Sequence, residues 1–509
     1  MSLRAAAALL LASLLAGGAL RWAAASRSQG LAEFWQEWEY YGMGVELAES
    51  GTLRVLPGLQ PTANRLPLYP AFIGVLRQTV PGPRAVRFAQ AAFDTAAIGG
   101  VYVLGAVTGG TLAAGAAAAL YAVSGPMLGQ VPELTLDCFF GWLVLLTALA
   151  LALWAREPRS GRRAAAAGLA LGLCLTCRST LWLFPVCLVP AVFLAKGWRS
   201  SWRAALLFVA IPTCLLLPWS LRNLRVFHAF IPLENEAPMM AIWAASVGRL
   251  EAPTELGLIA ERHWGEVLED YHAQGETARR RDLWRRVRGN LLARPSSYAW
   301  ECLKRIPVLW REQWPFLLLS FTVLLRRGHR AETLALLGLV LYFNVHLLMG
   351  VFPRFVRPVH GVLCVLAAVG AARFLRREDP PMAEKAAWGF LAAGLAPILF
   401  LYMYSSALLL REKRPEAPDS PGMAAAIKGF SDLGVQAAVR GRWESADEYF
   451  SEALSTDPGQ GEALVSRGLA RQVLGRTQDS DIDYANVALR LERLTDASPE
   501  ARASRLRQY

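Results

Sequence analysis

Residues 137–154 read DCFFGWLVLLTALALALW, eighteen positions in which Asp137 is the one charged group. At 1.5 Å rise per residue, a helix of this length and composition approaches the roughly 30 Å hydrocarbon core of a bilayer. Two further stretches read the same way: AETLALLGLVLYFNVHLLMG over 331–350 and AAWGFLAAGLAPILFLYMYSSALLL over 386–410. Working outward, membrane spans are expected near 5–22, 88–107, 111–126, 138–154, 164–178, 182–195, 204–219, 314–326, 331–350, 358–375 and 386–410. Eleven spans in a 509-residue chain that is 54% hydrophobic make an all-α polytopic bundle.

The formal net charge of +12 would suit a nucleic-acid binder if the cations were clustered on one surface. They are not. Arg156, Arg159, Arg162 and Arg163 form one block, and Lys196, Arg199 and Arg203 a second. Arg326, Arg327 and Arg330 form a third, and Arg373, Arg376, Arg377 and Lys385 a fourth, each between apolar runs. Lys and Arg beside spans mark the cytoplasmic side. With the N-terminus inside, all four blocks fall inside, and no nucleic-acid partner is expected.

That parity depends on residues 66–80, LPLYPAFIGVLRQTV, which are apolar but short and carry two prolines and Arg77. A span needs roughly 17–25 residues, so this segment is expected to lie along the outer surface. Residues 23–87, the turn 127–137, the segment 220–313, the loop 351–357 and everything after 411 then share the outer side. The short segment 314–326 is the weakest crossing of the eleven. Residues 1–25 also fit a cleaved signal peptide, but an uncleaved first span is the expectation. Asp94, inside a span, is expected to pair with a neighbouring helix.

The seven cysteines lie in or beside apolar runs and read as small buried hydrophobes, Cys174-x-x-Cys177 included. The six histidines show no metal-ligand spacing, and no phosphate-binding glycine loop appears.

Beyond 411 the composition changes. A polar linker over 412–425 leads to a segment, 426–495, in which Gly434 recurs as Gly468, Gly441 as Gly475 and Phe450 as Tyr484. Each interval is 34 residues, the period of the tetratricopeptide repeat. Leu433-Gly434, Ala446, Phe450, Ala453 and Pro458 stand at that repeat's spacing in the first copy. The second copy is weaker, with Ser480 and Glu492 in place of the alanine and proline. A TPR-like α-α repeat domain with a protein partner is one reading and a stabilising appendage the other; 496–509 is a tail.

Chemistry is concentrated at the outer end. The first outer loop, FWQEWEYYGMGVELAESGTLRVLPGLQPTANRLPLYPAF over 34–72, carries Glu37 and Glu39 before an Arg65-x-Pro67-x-Tyr69-Pro70 element. PELTLDCFFGWLVLL over 132–146 holds Asp137, with Glu133 as the lesser choice. GLALGLCLTCRSTLWLFP over 168–185 ends a glycine-rich span at Arg178, and LLPWSLRNLRVFHAFIPLENE over 216–236 contains Pro218, Trp219, Arg222 and Asn223. PRFVRPVHGVL over 353–363 supplies Arg354 and Arg357.

In this order, these elements resemble the GT-C glycosyltransferases, in particular the family-39-like bacterial members related to protein mannosyltransferases and aminoarabinose transferase. The resemblance runs over roughly residues 30–375. It departs in two places: the family's first-loop acid is usually Asp, whereas only Glu37 and Glu39 are present here, and Ser179 replaces the usual proline. The resemblance implies transfer of a sugar from a polyprenyl-phosphate donor to an extracytoplasmic lipid, glycan or protein, with inversion. Glu37 or Glu39 would be the base and Asp137 would assist. Arg65, Tyr69, Arg178, Trp219, Arg222, Asn223 and Arg354 would hold phosphate and lipid. Relatives differ in using a divalent cation, so a cation, with Asp137 as its carboxylate, stays open. Such a transfer needs a carboxylate to take the acceptor's proton and cations to face the departing phosphate. The readings set against it are a polysaccharide polymerase or ligase, a transporter, and a non-catalytic scaffold presenting the repeats.

Overall fold

The computed structural model describes residues 3–27, 35–54, 61–80, 82–196, 198–234, 284–324, 330–375, 384–412, 443–456 and 461–495, with isolated positions between them. The middle of the outer segment, 235–283 apart from isolated positions, the linker after Glu412, Arg326, Arg327, Arg376, Arg377, Leu433, Pro458 and the tail 496–509 lie outside the described residues.

Among the described residues the secondary structure is helical, with no strand. Helix α1 (Leu3–Arg27) packs along α4 (Pro83–Ala122), with α2 (Trp35–Ser50) and α3 (Leu68–Thr79) between them in the chain. After α5 (Gly125–Gln130) come α6 (Leu136–Arg156), α7 (Gly161–Leu175), α8 (Phe184–Lys196) and α9 (Trp198–Phe227). The later part holds α10 (Pro295–Leu309), α11 (Trp314–Ser320), α12 (Ala331–Tyr342), α13 (His360–Phe374) and α14 (Glu384–Arg411). The tail contributes α15 (Trp443–Thr456), α16 (Gly461–Val473) and α17 (Thr477–Thr495).

Among the described residues, seven helical segments are long and apolar enough to cross a membrane. One of them, α4, is two helices. Gly110 sits at φ 80° and ψ −170°, a conformation open to glycine. A Cβ on Gly105 would lie 2.9 Å from Ala114 Cα, nine positions on, so the chain folds back on itself as a hairpin. This matches the separate runs expected at 88–107 and 111–126. Helices α6 and α13 are buried over most of their length and form the middle of the bundle. Around them, Leu11, Leu15, Leu206, Leu217, Leu221, Phe400 and Met403 point outward, an apolar surface that acyl chains would cover. Gly168 and Gly172 bring α7 against the α9 backbone; a Cβ on Gly172 would stand 2.9 Å from Pro212 Cα.

The bundle has two distinct ends. At one, Arg156 pairs with Glu332 at 3.5 Å, Arg330 donates to Thr108 O at 3.1 Å, and Arg373 donates to Val323 O at 3.1 Å. At the other, Leu68 N reaches Thr176 O at 3.2 Å and Arg222 pairs with Glu412 at 2.8 Å. Helix α3 does not run between the ends: Gln78 near its C-terminus bonds Tyr404, close to where α14 finishes. Segment 314–324 does run between them alongside α13, since Phe316 meets the His360 ring edge-on and a Cβ on Gly370 would collide with Thr322.

Asp94 is paired with Arg21, and Tyr121 donates to its other oxygen, a buried polar network inside the bundle. Cys138, Cys174, Cys177 and Cys364 are buried, whereas Cys187 and Cys214 are exposed on apolar helices. In the tail, a Cβ on Gly434 would meet Phe450 at 2.5 Å and one on Gly468 would meet Tyr484 at 2.8 Å. The same close approach of a helix to an aromatic ring thus recurs 34 residues later.

Candidate functional site

Helix α2 begins the site. Its N-terminal turn carries Glu37, whose side chain lies outside the described residues, and Glu39 follows half a turn later. Gly44 on α2 and Gly74 on α3 let the two backbones touch: a Cβ on Gly44 would be 2.8 Å from Pro70 O, and one on Gly74 2.7 Å from Gly44 O. That close packing fixes the α2 face that bears Glu39. Arg65, in the bend before α3, closes on it as a fork, Nη2 donating to Oε2 at 2.9 Å and Nε to both oxygens at 3.2 Å. The Arg65 guanidinium also lies 5.4 Å from the centre of the Tyr40 ring.

Asp137 opens α6 in its first turn, where the helix dipole favours a carboxylate. Arg178, just beyond α7, donates to Asp137 Oδ1 at 2.8 Å and lies over the rings of Phe140 and Phe355. Arg354, in the 3-10 turn Pro353–Val359, lies within electrostatic range of Asp137, Arg178 and Tyr40. Its neighbour Arg357 pairs with Glu312 at 2.9 Å and approaches Glu133 at 3.8 Å.

Tyr69 is turned to a different task. Its hydroxyl donates to Gln90 Oε1 at 2.7 Å, and Gln90 Nε2 in turn donates to Val131 O and Glu133 O, tying the loop before α6 to α4. Arg222 is wholly buried. Nε and Nη2 form a fork with Glu412 at 2.8 Å each, Nη1 reaches Thr62 O and Asn223 Oδ1, and Nη2 also reaches Leu53 O. Every donor of that guanidinium is engaged. Asn223 Nδ2 donates to Ile231 O at 2.8 Å and Trp219 Nε1 to Leu233 O at 3.2 Å.

Those two bonds hold the segment 231–234 against the end of α9, and they deliver a residue that the sequence did not single out. Glu234 accepts a hydrogen bond from Ser179, the residue after Arg178, and lies in the field of both Arg65 and Arg178. Burial pushes its carboxyl above the usual range, and Ser179 and the two arginines pull it back only in part. The available signal was an acid inside FIPLENE, eleven residues after the Pro-Trp-x-x-Arg-Asn element that staples it.

Glu39, Arg65, Asp137, Arg178, Arg354 and Glu234 therefore converge from five separate stretches of chain. No protein-family model matches this chain, and no curated protein does. Solved structures with a similar course do exist. An oligosaccharyltransferase from Archaeoglobus fulgidus, in complex with Zn and sulfate, is 15% identical at a TM-score of 0.46, over 84% of this chain and 55% of that one. The oligosaccharyltransferase AglB from the same organism, with an inhibitory peptide and a dolichol-phosphate, is 14% identical at 0.46, over 86% and 59%. ArnT from Cupriavidus metallidurans, bound to undecaprenyl phosphate, is 17% identical at 0.45, over 98% and 82%. This chain spans just over half the length of the two archaeal proteins. Likeness of this order is a resemblance of chain course only.

The described residues bring no three His, Cys, Asp or Glu side chains together as a cation site, and Asp137 is turned to Arg178.

Proposed function

We propose that this chain is a membrane glycosyltransferase that moves a sugar from a polyprenyl-phosphate donor to an acceptor outside the cytoplasm. The convergence of two carboxylate–arginine pairs, Glu39–Arg65 and Asp137–Arg178, at one end of a membrane-length bundle carries this reading. Arg156, Arg330 and Arg373 at the opposite end support, by the charge rule, a cytoplasmic face there, with the N-terminus inside and the tail outside.

In this reading Arg65, Arg178 and Arg354 receive the donor phosphate. A guanidinium fork suits a phosphate as well as it suits a carboxylate, so phosphate arriving at Arg65 exchanges one anion for another and frees Glu39. Glu39 then removes the proton from the acceptor hydroxyl or amine. The acceptor atom bonds to the anomeric carbon while the bond from that carbon to the phosphate oxygen breaks, inverting the centre. The electron pair leaves with the polyprenyl phosphate, whose charge the arginines hold. Asp137 keeps Arg178 oriented. Arg222, Asn223, Trp219 and Tyr69 act at a remove, by fixing the loops that carry the site. The C-terminal helices are proposed to be a short tetratricopeptide-type array.

Membranes supplied with radiolabelled polyprenyl-phosphate sugars test this directly. Wild type should incorporate label, Glu39→Gln should lose it, and Glu37→Gln should retain it. Equal incorporation by all three removes the assignment of the base. Loss in the arginine variants alone would favour a polymerase or ligase.

A further inference from the structure

The last turn of α3 carries Arg77, a cation whose side chain is buried. Its hydrogen-bond partners lie outside the membrane bundle. Nη1 donates to Ser445 Oγ and Nη2 to Tyr449 Oη, each at 3.0 Å, and both acceptors are on α15 of the tail. The guanidinium is also flanked by two rings, 5.6 Å from the centre of Tyr449 and 5.9 Å from that of Tyr41. Cation–π contacts of this kind gain strength when water is excluded. Just past α3, a Cβ on Gly82 would meet the Glu448 carboxylate at 3.8 Å, so α15 covers the end of α3 as well. A second attachment stands where the tail leaves the membrane, in the buried Arg222–Glu412 pair.

On α2, Tyr41 faces this seat while its neighbours Glu39 and Tyr40 face Arg65. One turn of helix thus has the tail on one side and the candidate base on the other. With Gly44 and Gly74 allowing no gap between α2 and α3, a shift at Arg77 has no slack to absorb it before it reaches Glu39.

We propose that the tail is a docked wall of the α2–α3 unit, seated by Arg77 on Ser445 and Tyr449, and that this seating holds the helix bearing Glu39 in place. The docking does not depend on the transferase reading; only its consequence for Glu39 does.

The test uses the full chain with a specific protease site inserted between residues 416 and 420. After cleavage in detergent, the fragment carrying α15–α17 should stay with the membrane part of the wild type through gel filtration. Arg77→Ala should release most of it. Hydrogen exchange of the α2 amides should quicken at least tenfold in Arg77→Ala, while α6 and α13 keep their protection. The milder Ser445→Ala/Tyr449→Phe pair, which leaves Arg77 in place, should release an intermediate share and quicken α2 by a smaller factor; it decides the matter if Arg77→Ala disturbs the whole bundle. Loss of the fragment from cleaved wild type overturns the docking. Unchanged α2 exchange in both variants overturns the hold on Glu39.

Discussion

Arg178 and Arg222 stand near the ends of membrane helices at the same end of the bundle, and they do opposite things. Arg178 keeps a side chain 17% exposed, bonds Asp137 through Nη1, and lies on Phe140 and Phe355. Arg222 is fully enclosed, its five donors divided among Glu412, Asn223, Leu53 and Thr62. A buried guanidinium with every donor engaged is a structural lock, and one with spare donors at a solvent-reached edge is a place for an anion. The two cannot be told apart by residue type or by position in a span. Remaining hydrogen-bonding capacity separates them.

The largest expected effect tests the site side of that contrast. Glu39→Gln or Arg178→Lys, which keeps a cation beside Asp137, should cut sugar transfer by about 10²–10⁴-fold while leaving the thermal midpoint near that of wild type. A large drop in midpoint would move Arg178 into the class of Arg222. The lock side predicts the reverse. Arg222→Ala leaves Glu412 buried without a partner and should destabilise the fold by about 3–5 kcal/mol, measured by denaturation in detergent. Arg222→Lys should rescue little, because one ammonium cannot replace a five-donor fork.

A smaller effect is expected from Gly44→Ala, whose new Cβ would lie 2.6 Å from Ile73 and 2.8 Å from Pro70 O. Overpacking there should cost about 1–3 kcal/mol and lower transfer more than stability, since it moves the helix that carries Glu39. The tail adds a pH dependence. Burial pushes the Glu448 carboxyl up to about 8, against lowering by Arg77 and Arg87, with Asp447 and Glu444 adding to the rise. The folded state therefore holds a proton that the unfolded chain gives up near the ordinary value of 4.5. Its contribution is complete below that value and is lost as pH rises through about 8. Retention of the cleaved tail should fall between pH 6 and 9 in wild type and stay flat in Glu448→Gln. The smallest effect is Trp219→Phe, which gives up the bond to Leu233 O and should cost about 0.5–1.5 kcal/mol.

Apolar length and turn chemistry made much of the fold legible in advance. The run 137–154 lies within α6, and Gly109-Gly110 divides 88–107 from 111–126 at the hairpin bend. Two prolines and Arg77 marked 66–80 as a segment that stays at one end, where α3 is found. The site was legible as a set of elements but not as a set of roles. Arg65, Arg178 and Arg354 gather near Glu39 and Asp137, whereas Tyr69, Trp219, Arg222 and Asn223 turn away into the scaffold. Glu234 carried little signal beyond being an acid downstream of the Pro-Trp-x-x-Arg-Asn element, because what places it is a pair of hydrogen bonds from Asn223 and Trp219, eleven and fifteen residues earlier.

What the sequence determined by itself is what depends on short range: where helices of bilayer length begin and end, where glycine lets the chain reverse, and where basic blocks gather. What only the tertiary structure decided is which partner each buried charge takes. A guanidinium can face a carboxylate, a carbonyl or a ring from any part of the chain. The pairings Arg77 with Tyr449 and Arg222 with Glu412 join residues 372 and 190 positions apart. No local pattern encodes such distances; packing alone selects them.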